Sequence, residues 1–451
     1  MDHASFLGLR ALGRGPVIEF TWVFAEPVDM EALEALNRQL ALGFLGRRIQ
    51  RSPLPWGRPQ WVAAPVPEPV TTFSVPVHQT QIAARRSVLA DLPIDPEVGP
   101  GWRLVLQPLS DGGSVLSLLV SHSIADGLAV SQAVVDAIRQ RPSTHRYPPP
   151  RRGSAWRALG EDLRDSIAEW PTVWRALRAL VQQRRAVNPG TSTAPRRPPT
   201  ETAATSAPVR VPPVRVPLVQ VALDATSLLT QSTTLDVTIN TLVAYLAVRL
   251  AVRVGRVDAD GQVTLVQPVS DRRPGDLRGN ALRALRVKVA PAAATDRAPV
   301  LRALHRTLRR EKVAALRNND PLALLLPVIP YVPLWLARRL ERVALGTDRP
   351  VGCSNLGELA PITLRPLGIR ATQFSVSMLE RHTVASLAQV GGVLLLVCNI
   401  VEGTARVTIH AWSTNETPSP DELTGHLRLA LQDCGLTGEI EWADATRRPI
   451  R

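Results

Sequence analysis

The sequence predicts an α/β (α+β) chain of two lobes. Three observations predict it: a strand-then-helix unit that recurs, a proline-rich interruption near the middle, and an apolar run that ends on a histidine and leads into a helix. The first unit opens with Val17 to Phe24 and passes through Pro27 to Asp29, an N-cap for a helix with Leu33, Leu36 and Leu40 on one face. A second runs from Val219 to Leu223, through a connection, into a helix near Thr238 that aligns Ile239, Leu242, Val243, Leu246 and Leu250. In the third, Arg406 to Trp412 alternates as a strand does, and Ser419-Pro420-Asp421-Glu422 reads as a capping box with proline at the first helical position, followed by Leu423, Leu427 and Leu431.

The interruption is Asn188 to Pro213, rich in Pro, Thr, Ala and Ser and without hydrophobic periodicity. It divides the chain into an N-terminal lobe over 1–187, a linker over 188–213 and a C-terminal lobe over 214–451. Just before it, Trp156, Leu159, Leu163, Ile167, Trp170, Trp174, Leu177 and Val181 draw an apolar stripe, so 154–184 is expected to be one amphipathic helix.

Composition narrows the function classes. With 451 residues, 45% apolar and 20% charged, core size is no constraint. The three cysteines, Cys353, Cys398 and Cys434, are odd in number and show no CxxC spacing, so neither a disulfide framework nor a metal site is encoded. An acid stands near the start, in Met1-Asp2-His3-Ala4, where a secretory signal would be basic, and the expected location is cytoplasmic. The greasiest stretch, Leu322 to Ala337, is shorter than the roughly 20 residues of a membrane span and is broken by Pro327, Pro330 and Pro333. It reads as a buried loop and helix, or as a peripheral contact with a membrane or lipid-droplet surface, since Leu324, Leu325, Ile329, Leu334 and Trp335 are followed by Arg338, Arg339 and Arg342. The net charge of +14 is spread along the chain, with Lys288 and Lys312 as its lysines, and aromatics at 4% are too sparse for base stacking; nucleic acid is not an expected partner.

The chemistry concentrates after Val115 to Val120, an apolar run suited to a strand buried on both faces. His122 stands just past its end, and from Leu128 onward Val130, Val134 and Ile138 recur at helical spacing, so Asp126-Gly127 falls in the turn between strand and helix. Ligands of α/β folds bind at such strand ends. Imidazole, with an ordinary pKa of about 6.5, can take a proton and return it. Asp126 can stabilise the loop by pairing with an arginine or backbone donors, and Gly127 allows a turn without a Cβ clash.

Ser121-His122-Ser123-Ile124-Ala125-Asp126-Gly127 resembles the HHxxxDG motif of the condensation-domain and chloramphenicol-acetyltransferase-like acyltransferases, with Ser121 at the first histidine and His122 at the second. Further segments are similar to the bacterial wax ester synthase / diacylglycerol acyltransferase branch. Trp56-Gly57-Arg58-Pro59-Gln60-Trp61-Val62 resembles its GRPxWV segment, and Leu92-Pro93-Ile94-Asp95 with Gly101-Trp102 its LPLD and PLW region. Thr238-Ile239-Asn240-Thr241-Leu242-Val243 resembles TVNDVV, with Thr241 in place of the aspartate. Gln267-Pro268-Val269-Ser270 with Arg273 and Gly279-Asn280 resembles PVSxR…GN, and Cys353-Ser354-Asn355-Leu356-Gly357 resembles VSNVPGP without its Pro-Gly-Pro.

The resemblance implies two lobes of the chloramphenicol-acetyltransferase type with a tunnel between them, and an O-acyltransferase that moves an acyl group from acyl-CoA to an alcohol, giving a wax ester, triacylglycerol or related ester. His122 is the implied general base, and Asp126 belongs to the same catalytic motif. No cofactor is expected; the acyl-CoA or acyl-carrier thioester is a co-substrate. Two alternatives stand beside it: a condensation or tailoring enzyme of secondary metabolism with a carrier-protein donor, and a catalytically silent scaffold of the same fold.

Asn240, Ser354 and Asn355 are candidate donors to an oxyanion or to the lobe interface, set against helix capping for Asn240 and turn formation for Ser354-Asn355. Arg272 and Arg273 read as a hairpin turn between Val263 to Val269 and Ala281 to Val289, with Arg273 open to pairing with a buried carboxylate or a phosphate. His382 and His410 lack neighbours that would aim them and read as structural.

Overall fold

The computed structural model describes residues 2–12, 15–52, 54, 57–141, 147–150, 213–273, 275–291, 297–316, 328–332, 349–414 and 417–443, with scattered positions at 160–178 and 334–337. Its strands are β1 (Val17–Phe24), β2 (Arg47–Gln50), β3 (Gln60–Ala63), β4 (Thr71–Thr72), β5 (Trp102–Pro108), β6 (Ser114–Ser121), β7 (Leu218–Asp224), β8 (Val263–Ser270), β9 (Leu282–Val289), β10 (Val351–Glu358), β11 (Gln373–Leu379), β12 (Val393–Val401), β13 (Thr404–Trp412) and β14 (Gly438–Ala443). Its helices are α1 (Asp2–Leu12), α2 (Met30–Leu42), α3 (Ile82–Leu89), α4 (Gly127–Ile138), α5 (Ala225–Leu235), α6 (Ile239–Arg253), α7 (Arg297–Leu316), α8 (Val384–Gln389) and α9 (Pro420–Cys434).

The strands form a five-stranded sheet, ordered β11-β1-β6-β5-β4, and a seven-stranded sheet, ordered β14-β7-β13-β12-β10-β8-β9, with β2-β3 as a separate hairpin. Strand β11 comes from the C-terminal half yet pairs antiparallel with β1, so the lobes are bound by an exchanged strand. One face of the five-stranded sheet carries Phe20, Trp22, Leu116, Leu118 and Phe374, on which Leu33, Leu36 and Leu40 of α2 and Val130 and Val134 of α4 pack. The larger sheet is covered by α6, α7 and α9 through Leu242, Leu246, Leu304, Leu308, Leu423 and Leu427.

Local signals act as their chemistry dictates. The Asp29 carboxylate accepts from Glu31 N and Ala32 N. Ser419 and Glu422 close a reciprocal capping box behind Pro420, and α9 ends at Gly435 in the left-handed region, φ 64°. Thr238, not Asn240, caps α6 by accepting from Thr241 N. The connection after β7 holds a helix, α5, capped by Asp224. The 188–213 linker lies outside the described residues except for Pro213; the described positions of the 154–184 segment are helical, and of Leu322 to Ala337 the structure shows a 3-10 turn at Ile329–Tyr331. Among the described residues no single helix is long and apolar enough to cross a membrane.

The other face of the five-stranded sheet is polar at its centre. There the buried Arg86 of α3 pairs with Glu19 at 3.0 Å, and its guanidinium also donates to Thr21 and Ser375. Beside them His410 of β13 shares a 2.9 Å hydrogen bond with Ser377 of β11. Burial, then the charge of Arg86 and the proximity of His382, push His410 down from its ordinary 6.5 to about 3. The folded chain therefore refuses a proton that the unfolded chain accepts below pH 6.5, and stability is lost as pH falls from there toward 3. At pH 5 the linkage amounts to about 2 kcal/mol. His410→Gln is expected to flatten this part of the stability-pH curve in denaturant titrations; an unchanged slope would contradict the assignment.

Candidate active site

All of β6 is buried, and at its end the chain turns through Ser121 to Ala125 before α4 begins. Ser121, at the position of the motif's first histidine, is buried. Its hydroxyl accepts from Ser123 N and its carbonyl accepts from Ile124 N at 3.0 Å, so it shapes the turn through backbone bonds. His122 N donates to Pro16 O at 3.0 Å, and His122 O accepts from Asn280 Nδ2 at 2.9 Å. The backbone of the histidine is thus held from both lobes. Its ring is half-buried and makes no hydrogen bond among the described residues, which leaves a nitrogen free to receive a proton.

Asp126 is fully buried and uses both carboxylate oxygens. Oδ1 accepts from Ala129 N, capping α4, while Oδ2 accepts from Arg272 Nη2 at 2.7 Å and from Ala281 N at 2.9 Å. The arginine on this carboxylate is Arg272 and not Arg273, which is exposed one position further along. Arg272 reaches inward because it also donates to the carbonyls of Asp276, Arg278 and Gly279, closing the turn between β8 and β9 around its own guanidinium. Asp126 is consequently a positioning residue, saturated with donors and fixing the loop that bears His122.

Gly127 takes ordinary helical geometry, and the reason for a glycine is close approach: a Cβ there would lie 3.0 Å from Leu356 Cδ2, on β10 of the other lobe. Gly279 is tighter, since a Cβ would stand 2.6 Å from Ile124 O and 3.1 Å from Arg47 Nη2. Gly279→Ala is therefore expected to push the histidine loop away and reduce turnover at least about tenfold, with a stability loss of about 1–3 kcal/mol as for other overpacked sites. Steady-state kinetics together with calorimetry check both effects.

Arg47 is a buried component that sequence reasoning missed. Its guanidinium lies over the rings of Phe44 and Trp61, at 3.8 and 4.1 Å, and donates to Ile124 O, Leu277 O and Tyr147 Oη. Burial lowers its pKa, with Tyr147 and Asp2 opposing that effect and Arg272 adding to it. It bridges the histidine loop to the β8–β9 turn. From α1, the Asp2 carboxylate accepts from Gly279 N and Asn280 N, adding a third element to the same knot. No local pattern marks either residue; Gly279-Asn280 was visible only within the family resemblance.

The other candidates gather elsewhere. Asn240 Oδ1 accepts from Gln267 Nε2, which also approaches Cys353 Sγ at 3.9 Å, so these residues form a cluster inside the C-terminal lobe. Ser354 and Asn355 lie in strand β10 rather than in a free turn. The Asn355 side chain accepts from Gly357 N, where a positive φ of 72° accompanies a register shift against β12. No hydrogen bond joins Asn240, Ser354 or Asn355 to His122 among the described residues. Among those residues no group of His, Cys, Asp and Glu is arranged to hold a metal ion.

Two clefts lie near the elements that hold the loop, and His122 is not among the residues that wall either. One, of about 850 Å³, lies between α4 and the β8–β9 turn; it is walled by Leu128 and Ala129 at the start of α4 and by Arg272, the partner of Asp126. The other, of about 350 Å³, is mostly apolar and lies between α3, the end of β11 and the C-terminal sheet, with His410 and Leu379 in its wall. Leu379 is in register with Val17, whose other neighbour is Ser121, so this cavity reaches the same sheet end as the histidine.

No protein-family model and no curated protein sequence matches the chain. Solved structures do. At 15% identity it is similar to the first condensation domain of the CDA synthetase, with a TM-score of 0.55 over 96% of this chain and 94% of that one. At 17% it is similar to polyketide synthase associated protein 5 from Mycobacterium tuberculosis, with a TM-score of 0.53 over 95% and 96%. The wax ester synthase/diacylglycerol acyltransferase from Marinobacter aquaeolei VT8 follows at 14%, with a TM-score of 0.50 over 93% and 95%. Two lobes, an exchanged strand and near-complete coverage in both directions place this chain in the condensation-domain, chloramphenicol-acetyltransferase-like fold.

Proposed function

We propose that the protein is an acyltransferase that moves an acyl group from a thioester, acyl-CoA in the leading reading, to an alcohol, in the manner of wax ester or triacylglycerol synthesis. The observation that carries this is the placement of His122: a half-buried imidazole with no hydrogen bond among the described residues, on a loop at the end of a buried strand that is clamped from both lobes. The imidazole takes the hydroxyl proton as the oxygen attacks the thioester carbonyl, the C–S bond breaks, and the imidazolium returns the proton to the departing thiolate. Holding the two reactants in line at one ring supplies much of the remaining acceleration.

A carrier-bound donor is the second reading, favoured by the likeness to a condensation domain. The test is to offer acyl-CoA and the corresponding acyl-carrier thioester with a panel of alcohols, following thiol release and ester mass. Ester formed with either donor supports acyl transfer, and the better donor decides between the readings. If neither donor yields more ester than buffer alone, the silent-scaffold reading replaces both. Contact with a membrane or lipid-droplet surface accompanies the lipid reading and is tested by co-sedimentation with vesicles.

A further inference from the structure

The peptide that joins Gly279 to Asn280 is gripped from both ends. Its carbonyl accepts from Asp126 N at 2.8 Å and from Arg272 Nη2 at 2.9 Å, and its N–H donates to Asp2 Oδ1 at 2.6 Å. Gly279 N donates to the second oxygen of the same carboxylate at 2.9 Å. An acid in the first turn of a helix ordinarily serves its own helix dipole. Here both oxygens of Asp2 are spent on amides 277 and 278 positions away. Helix α1 is anchored by the buried Phe6 and packs on the turn at Ile329–Tyr331. One helical turn beyond Asp2, Ser5 Oγ comes within 3.5 Å of His122 O and 3.4 Å of Ser123 Oγ.

The histidine loop therefore hangs on this residue pair at two points, His122 O on the Asn280 side chain and Asp126 N on the Gly279 carbonyl. Without the Asp2 carboxylate, two adjacent amides, one of them in a buried asparagine, lose their acceptor, and the pair is less constrained. We propose that Asp2 is a positioning residue for the reaction at His122: through Gly279 and Asn280, its carboxylate sets the place of the loop that carries the imidazole. This rests on the general-base reading above. Asp2 supplies aim and not chemistry, and an error of about 1 Å in the placement of a reacting group costs about 100-fold in rate.

Two readouts on the whole chain test this. The first is turnover per folded molecule, with circular dichroism giving the folded share. Asp2→Ala should lower kcat at least about tenfold, while KM for donor and acceptor stays within about threefold. Asp2→Asn, which keeps one acceptor oxygen, should recover part of the loss. Because the effect passes through Asn280, adding Asp2→Ala to Asn280→Ala should cost less than the product of the two single losses. A kcat equal to the parent's, an asparagine variant no better than the alanine variant, or losses that multiply would overturn the assignment. The second readout needs no substrate: diethyl pyrocarbonate modifies accessible imidazoles, and mass spectrometry follows each histidine. Asp2→Ala should speed modification of His122 at least about threefold by loosening its loop, and leave His305 on α7 and His426 on α9 at their parental rates. A His122 rate that does not change, or that rises together with the other two, would equally count against it. If labelling follows the expected pattern but the parent protein forms no ester, the placement of the loop by Asp2 stands and the proposed reaction fails.

Discussion

His122→Ala is expected to lower kcat/KM by about 100- to 10,000-fold, the usual contribution of a positioned general base, while leaving the fold intact. The loop's shape does not depend on the ring. It is set by backbone bonds to Pro16 and Asn280, by the Ser121 hydroxyl and by the Asp126 carboxylate. Under the proposed mechanism, removing the imidazole deletes the proton acceptor and leaves the loop in place, so KM for donor and acceptor should change far less than kcat. His122→Gln is the control, since it preserves polarity and approximate volume but cannot cycle a proton. The two variants should be equally slow and should melt within a few degrees of the parent. Restored turnover in the glutamine variant would show that the side chain orients a reactant and does not carry its proton.

Much of the fold was legible because the signals are local. The Asp29 cap, the Ser419–Glu422 box and the apolar faces of α2, α6 and α9 each involve residues a few positions apart, and the structure reproduces them. Helix α5 escaped notice because its sequence, rich in Ser and Thr, presents only Leu228 to the core as a buried hydrophobic and shows no apolar stripe. The turn that Ser354-Asn355-Leu356-Gly357 offered as the alternative to a donor role is absent for the opposite reason. Its composition favours a bend, yet pairing with β12 draws it into a strand and confines the irregularity to a register shift.

Within the site, the histidine, the aspartate and the glycine could be found, since they lie close together at the end of one strand. Their partners could not, because Asp126 and Arg272 are 146 positions apart, and nothing local separates Arg272 from Arg273. Only the path of the β8–β9 turn, closed around one guanidinium by three carbonyls, decides which arginine points inward. Arg47 shows the same limit: an arginine next to Arg48 reads as surface charge until Phe44, Trp61 and Tyr147 surround it.

Arg272→Met should separate the two adjacent arginines more sharply than any other change. It removes the charged partner of a carboxylate that is itself fully buried, and breaking such a pair from one side costs about 3–5 kcal/mol. The carbonyls of Asp276, Arg278 and Gly279 lose a donor at the same time, so the β8–β9 turn loosens with the loop it grips. Arg273→Met, on an exposed side chain, should stay within about 0.5 kcal/mol. The pair also predicts non-additivity. With Asp126→Ala in the same chain there is no buried charge to strand, and the double variant should be less destabilised than the sum of the two single changes. Denaturant titrations of the four proteins measure this coupling, and strict additivity would mean that Asp126 and Arg272 act on the fold separately. Activity provides an independent readout: because both Asp126 oxygens are taken by protein donors, the proposed mechanism has Arg272→Met depress kcat through misplacement of His122, and Asp126→Asn, which keeps an oxygen for Ala129 N, should lose less activity than Asp126→Ala.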